Sequence, residues 1–176
     1  WLNLVLAYAH ALARWDQHNE AEEALRNGLK TQPDELALIS QLAELAQLQG
    51  RTPQAIHLLR RLIYLAKQQD KPEALYWVRL SSACLHQMEE QARVAAEKAI
   101  TLVAEMQESE EAPLGLIKRM TLQAKNALAQ VESQVQNYSQ AEELFTEILT
   151  ENPYFLPALQ GLGQQQMQCG NIDEAI

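Results

Sequence analysis

The stretch from Asn137 to Gly163, NYSQAEELFTEILTENPYFLPALQGLG, decides how the whole chain reads. Tyr138, Ala141, Phe145, Ile148 and Leu149 recur at three- and four-residue steps, the period of one helix face. Pro153 ends that run, because it has no amide hydrogen to donate and biases Asn152 away from helical angles. Beyond it Leu159, Leu162 and Gly163 open a second apolar face. Two antiparallel helices come close only where a side chain at the crossing is small. Ala141 and Gly163 are therefore expected where the backbones nearly touch, with Phe145 and Leu162 filling the space beside them. Asn137 or Ser139 is expected to cap the first of these helices by accepting from its free amides.

The alanine of that helix can be followed through the chain. It returns as Ala21, Ala55, Ala92, Ala141 and Ala175, at intervals of 34, 37, 49 and 34 residues. The residue order and the period resemble the tetratricopeptide repeat (TPR), a helix-turn-helix unit of about 34 residues. The resemblance implies an all-α fold, a right-handed superhelical α-solenoid of TPR-like helix-turn-helix repeats. Its concave wall would be lined by the first helix of each pair. The approximate units are 2–35, 36–70, 71–109 with an extended second helix, 112–155 with an extended first helix, and 156–176, which stops early.

Each unit can be filled from the sequence. Val5, Tyr8, Ala9 and Leu12 pair with Ala21, Leu25, Gly28 and Leu29, where Gly28 reads as a close-crossing site because a helical glycine costs about 1 kcal/mol. Ile39, Leu42, Ala43 and Ala46 run into a turn at Gly50, a residue free to take positive φ. Thr52 and Pro53 then read as a capping hydroxyl followed by proline at the first helical position. Trp77, Leu80, Ser81 and Cys84 pair with Ala92, Ala96, Ala99 and Ile100. In the fourth unit Leu128 and Ala129 precede Ala141, with Lys125 and Glu132 standing where bulky residues are usual. The fifth offers Leu159, Leu162, Gly163, a turn at Gly170-Asn171, and Ala175.

The 49-residue interval exceeds one period by enough to lengthen two helices, which then project a hairpin roughly 10 Å past the array. Its turn is marked by Glu108, Glu110, Glu111 and Ala112-Pro113. Leu114, Leu116 and Ile117 lie on that projection. They read either as packing against Leu102, Val103 and Met106 or as an exposed partner-binding tip.

Composition excludes several classes of function. A net charge of −9 argues against a phosphate-binding surface, although a local basic patch is compatible with it. Cys84 and Cys169 are too far apart in sequence to suggest a zinc knuckle or a disulfide framework. His10, His18, His57 and His86 show no ligand spacing. Gly161-Leu162-Gly163 lacks the third glycine and the preceding strand of a dinucleotide site. No nucleophile elbow or phosphate loop is present. The expectation is a non-enzymatic chain without cofactor or metal. Trp1 to Ala13, the most apolar run, is shorter than the roughly 20 residues of a membrane span. A start without Met and a stop inside a helix suggest a piece of a longer protein. A cytoplasmic setting is expected, with a periplasmic one left open.

The groove positions implied by the resemblance are Asn3, His10 and Arg14 in the first unit and Gln41, Glu44 and Gln47 in the second. Arg79 follows from the third, Asn126, Gln130 and Gln134 from the fourth, and Gln160, Gln164 and Gln168 from the fifth. Most are amides, able to donate to and accept from an extended backbone. One branch of the family captures a C-terminal carboxylate with Lys and Asn at such positions. Here they hold Leu6, His10, Ser40 and Glu44, which departs from that pattern. The expected function is a scaffold binding a peptide or protein partner in the groove, with self-association through exposed repeat ends also open. The alternative is the sensor or assembly arm of a larger signalling or transcription-regulatory protein. If the register is right, Ala55→Leu or Ala141→Leu lowers stability by about 1–3 kcal/mol through overpacking, while Gln130→Ala is near neutral. Equal thermal melts for the three variants would falsify it.

Overall fold

The computed structural model describes residues 1–109 and 112–168. Ala175, the Gly170-Asn171 turn and the pair Glu110 and Glu111 lie outside the described residues. Among those described, the chain is helical throughout, in nine helices: α1 (Leu2–Arg14), α2 (His18–Thr31), α3 (Leu36–Leu48), α4 (Thr52–Gln68), α5 (Ala74–Cys84), α6 (Glu89–Glu108), α7 (Leu114–Gln134), α8 (Tyr138–Glu151) and α9 (Leu156–Gln168). They divide into two compact units, Trp1–Tyr76 and Trp77–Ile176.

In the first unit α1 packs on α2 and α3 on α4, and α3 also touches both α1 and α2. The apolar stripes dictate this. Ala9 and Leu12 of α1 are buried, as are Ala21, Leu25 and Gly28 of α2 and Leu38, Ile39, Leu42, Ala43, Leu45 and Ala46 of α3. On α4 the buried set is Ala55, Ile56, Leu58, Leu59, Leu62, Ile63 and Ala66. Gly28 lets α3 come close: a Cβ added there would sit 3.0 Å from Leu38 Cδ1. Polar side chains tie the turns to the helices. Glu22 of α2 accepts from Arg51 Nη2 at 2.5 Å and from Arg26 Nε at 2.8 Å. The Arg51 guanidinium holds the Glu22 carboxyl below its ordinary pKa, against burial that pushes it up, and Arg26 adds to the lowering. Arg51 also donates to Gln54 and Gln49.

In the second unit α6 packs on α7, α7 on α8, α8 on α9, and α7 also reaches α9. Its core joins Leu122 and Ala129 of α7 to Ala141, Phe145 and Ile148 of α8 and Ala158 of α9, with Leu144, Leu149, Phe155 and Leu162 packed around them. On α6, Ala92, Ala95, Ala96 and Ala99 are buried in succession, which leaves little beyond backbone between this helix and its neighbour. The tracked alanines Ala21, Ala55, Ala92 and Ala141 are all at most 1 % exposed.

Among the described residues one turn is used four times. After α1, α3, α4 and α7 a residue takes positive φ: Asp16, Gly50, Asp70 and Gln136, at 62°, 68°, 54° and 63°. In each case the amide of the next residue reaches back to a carbonyl in the last turn of the helix. These bonds run from Gln17 to Leu12 at 2.9 Å, Arg51 to Ala46 at 2.8 Å, Lys71 to Ala66 at 2.9 Å and Asn137 to Glu132 at 2.8 Å. This is the Schellman arrangement, which satisfies helix-end carbonyls by a left-handed residue. Asp16 is further held by a 2.9 Å contact with His18 Nε2. The links after α2 and α8 use a different device. Gln32-Pro33 and Asn152-Pro153 stop the helix, and Glu35 and Phe155 donate back to the carbonyls of Gln32 and Asn152 at 3.3 and 3.1 Å.

Several expectations are corrected at this level. The close crossing of α8 and α9 is at Gly161, not Gly163. A Cβ at Gly161 would stand 2.4 Å from Phe145 Cζ, whereas among the described residues nothing lies within 4 Å of one at Gly163. Thr52 does not cap α4: the N-cap is Arg51, and no side chain accepts there. Asn137 occupies the N-cap of α8 without capping it through its side chain, which donates to Glu132 and Gln140 instead. The cause is shared. The three-residue Schellman link places its last residue at the next N-cap, with its backbone already bonded backward.

Gln136 carries a side chain in a conformation that costs about 1–2 kcal/mol for residues with a Cβ. Gln136→Gly is expected to raise stability by about 0.5–1 kcal/mol, strain relief exceeding the added freedom of the unfolded chain. Gly50→Ala is expected to lower it by about 1 kcal/mol. The measurement is the urea midpoint at constant slope.

Candidate functional site: two cavities

The first unit holds a cavity of ≈ 130 Å³ between α1, α2 and α3. Its floor is apolar, from Ala9, Ala13, Ala21, Leu25, Leu45 and Leu48. Four of the groove positions expected from sequence, His10, Arg14, Gln41 and Glu44, form its polar edge. They meet there because α1 and α3 lie side by side. His10 and Arg14 are one helical turn apart on α1, and Gln41 and Glu44 are three residues apart on α3.

The second unit holds a larger, mainly polar cavity of ≈ 570 Å³. Gln130 and Gln134 of α7 face it together with Gln164 and Gln168 of α9, each pair separated by one turn. Leu85, His86, Ser133, Gln136, Tyr138, Phe145 and Gly161 complete its lining. Among the described residues the lining contains no Lys, Arg, Asp or Glu. Gly161 serves two ends here, since the missing side chain admits the Phe145 ring and also opens the cavity wall.

The geometry behind these glutamines is polar as well as apolar. Glu132 lies between Gln130 and Gln134 but points the other way and is 1 % exposed. Its carboxylate accepts from Arg93 of α6 at 3.2 Å and from Asn137 Nδ2 at 2.8 Å. A carboxylate in a bulky position is thus matched with a cation on the adjoining helix, which the sequence pattern did not reveal. Lys125 is likewise paired, with Glu147 at 3.0 Å and Glu151 at 3.1 Å on α8. Burial pulls the Lys125 ammonium pKa down, but the two carboxylates outweigh it and hold it above the ordinary value. On α9, Gln165 is buried and donates to the Tyr138 carbonyl at 2.9 Å, fixing the face that carries Gln164 and Gln168.

The remaining expected positions are scattered. Asn3 and Gln160 are exposed and line neither cavity, and Gln47 and Arg79 are half-buried and engaged in other interactions. Asn126 is buried at 8 % exposure, so it does not sit on an open wall. Of the hairpin residues, Leu114 and Leu116 are exposed at 61 % and 45 %, whereas Ile117 is buried at 4 %. Tyr138, Ser133 and Gln136 are cavity residues that sequence reading did not assign to the groove. Tyr138 reads from the sequence as a packing aromatic, and Gln136 shows its role only once its left-handed turn is known. Among the described residues no cluster of His, Cys, Asp and Glu is placed to hold a metal ion, and no helix is long and apolar enough to cross a membrane.

No protein-family model and no curated protein matches the sequence. Solved structures do match the fold. A tetratricopeptide repeat protein from Parabacteroides merdae ATCC 43184 is similar over 98 % of this chain and 60 % of its own, with 16 % identity and a TM-score of 0.76. The chain thus spans less than two thirds of that protein. A putative kinesin light chain from Podosopora anserina with nearly identical TPR-like repeats is 19 % identical over 99 % of this chain and 89 % of its own, TM-score 0.73. YrrB, a TPR protein with an unusual peptide-binding site, is 10 % identical over 98 % and 79 %, TM-score 0.61. The chain has the TPR fold.

Arg93→Met removes the cation that faces buried Glu132 and is expected to lower stability by about 1–3 kcal/mol, less than for a fully buried pair because Arg93 is part-exposed. The double variant Arg93→Met with Glu132→Met should recover most of that loss in the same denaturation assay.

Proposed function

We propose that the chain is a protein-interaction scaffold, not an enzyme, and that the amide-lined cavity of its second unit takes an extended peptide. The observation that carries this reading is the pairing of Gln130 with Gln134 and of Gln164 with Gln168 around one cavity. A step of four residues along a helix advances about 6.0 Å. An extended chain repeats every two residues, about 6.6–6.8 Å. Successive glutamines can therefore address alternate peptide groups, each carboxamide donating one hydrogen bond and accepting another. Such contacts read backbone more than side chain, and the uncharged lining favours an uncharged segment.

The smaller cavity of the first unit is a second seat of different chemistry, apolar below and edged by His10, Arg14, Gln41 and Glu44. It suits a single aliphatic side chain. The peptide-binding site named for YrrB, whose fold this chain shares, supports the general reading. In this proposal the repeat units are those read from the sequence, and the exposed Leu114 and Leu116 are the second place a partner would touch.

The test is a peptide-display selection on the intact chain, followed by anisotropy titration of the selected peptide. Gln130→Ala, Gln134→Ala and Gln164→Ala together should weaken binding at least about tenfold while leaving the melting temperature unchanged, since each loses hydrogen bonds made only to the ligand. Binding kept by the triple variant and lost in Leu114→Ser with Leu116→Ser would move the contact to the hairpin and end the cavity reading.

A further inference from the structure

Charge along the chain is segregated. Between Glu44 and Asp70 there is no acidic residue, although the protein carries 23 of them, and the same segment holds Arg51, Arg60, Arg61 and Lys67. About two thirds of it is α4. His57, Arg60, Arg61, Tyr64 and Lys67 follow one another at steps of one or three residues and are all exposed, so they form one face about 15 Å long opposite the buried Leu59, Leu62, Ile63 and Ala66. Lys71 stands in the turn directly beyond. In the middle of the stripe Tyr64 is 63 % exposed. Arg61 is partly committed, donating to the Pro33 carbonyl at 2.7 Å and to Asp34 at 3.2 Å, which fixes its guanidinium against the loop before α3.

We infer that this face of α4 is a docking surface for an acidic polypeptide segment. Charge complementarity argues for it: a cationic helix face on a chain of net charge −9 is a local reversal of field, which steers an oppositely charged partner to one place and orients it there. Tyr64 supplies the amphipathic contact at the centre that such interfaces favour. A nucleic acid fits less well. Few phosphates could be neutralised along about 15 Å, and the remaining surface repels a polyanion. An anionic membrane fits less well again, because the face offers one aromatic side chain and no apolar stripe to insert. The surface is separate from both cavities, so its failure and theirs are independent.

The experiment uses a fluorescein-labelled helical peptide with glutamates at i, i+3, i+4 and i+7 around a central leucine, and its glutamine counterpart. Anisotropy should show binding of the glutamate peptide only, weakened about tenfold between roughly 50 and 300 mM NaCl as screening shortens the reach of the charges. Lys67→Glu with Lys71→Glu should abolish it, and the milder Lys67→Gln with Lys71→Gln should weaken it. Lys98→Glu with Lys118→Glu, the same change of net charge on α6 and α7, should leave it within about twofold, as expected if the α4 face and not the net charge of the chain directs binding. The Gln130, Gln134 and Gln164 variant should retain it. Equal binding of the glutamine peptide, loss in the Lys98 and Lys118 control, or tighter binding of oligo(dT) or phosphatidylserine vesicles would overturn the inference.

Discussion

From α1 to α4 and from α6 to α9, each helix has one face that must be covered, and a helix next to it in sequence is what covers it. The small residue at each crossing makes this workable. With Ala21, Ala55, Ala92 and Ala141 buried almost completely, the paired backbones approach closely enough for larger neighbours such as Leu25, Leu59 and Phe145 to interlock beside them. A larger group at those points would hold the helices apart, and the contacts of the neighbours would be lost with it. The α6 run of four buried alanines is the same constraint taken further, and Gly28 and Gly161 are its limiting cases.

Much of this was legible in the residues and some was not. The alanine spacing and the long apolar faces of α6 and α7 survive as patterns because burial on a helix imposes a period. The azimuth of a single residue is harder to fix. Gly161 and Gly163 are two positions apart, about 200° around the helix, so choosing the wrong one selects the opposite face. The same drift explains the groove residues. A row of every fourth residue turns by about 40° at each step, so Asn126 can be buried while Gln134, eight positions later, faces solvent. Ile117 and Leu116 differ for the same reason.

The turns were concealed in another way. Glycine at Gly50 announces a left-handed residue, but Asp16, Asp70 and Gln136 take the same conformation without glycine. Local propensity is overruled there by the need to satisfy the carbonyls at the helix end and to return the chain onto its own stripe. Glu132 was visible only as a residue out of place. Its partner Arg93 lies 39 positions away on another helix, and no local pattern links the two.

Among the described residues, the helices shown packing within a unit are sequence neighbours or next but one, so those contacts do not wait for distant parts of the chain to find each other. Such local wiring makes for rapid acquisition of structure, and it makes the molecule compliant. Pulled from its ends, a chain wired this way yields one helical hairpin after another and recoils by the same steps, behaving as a soft spring where a sheet protein would hold and then snap.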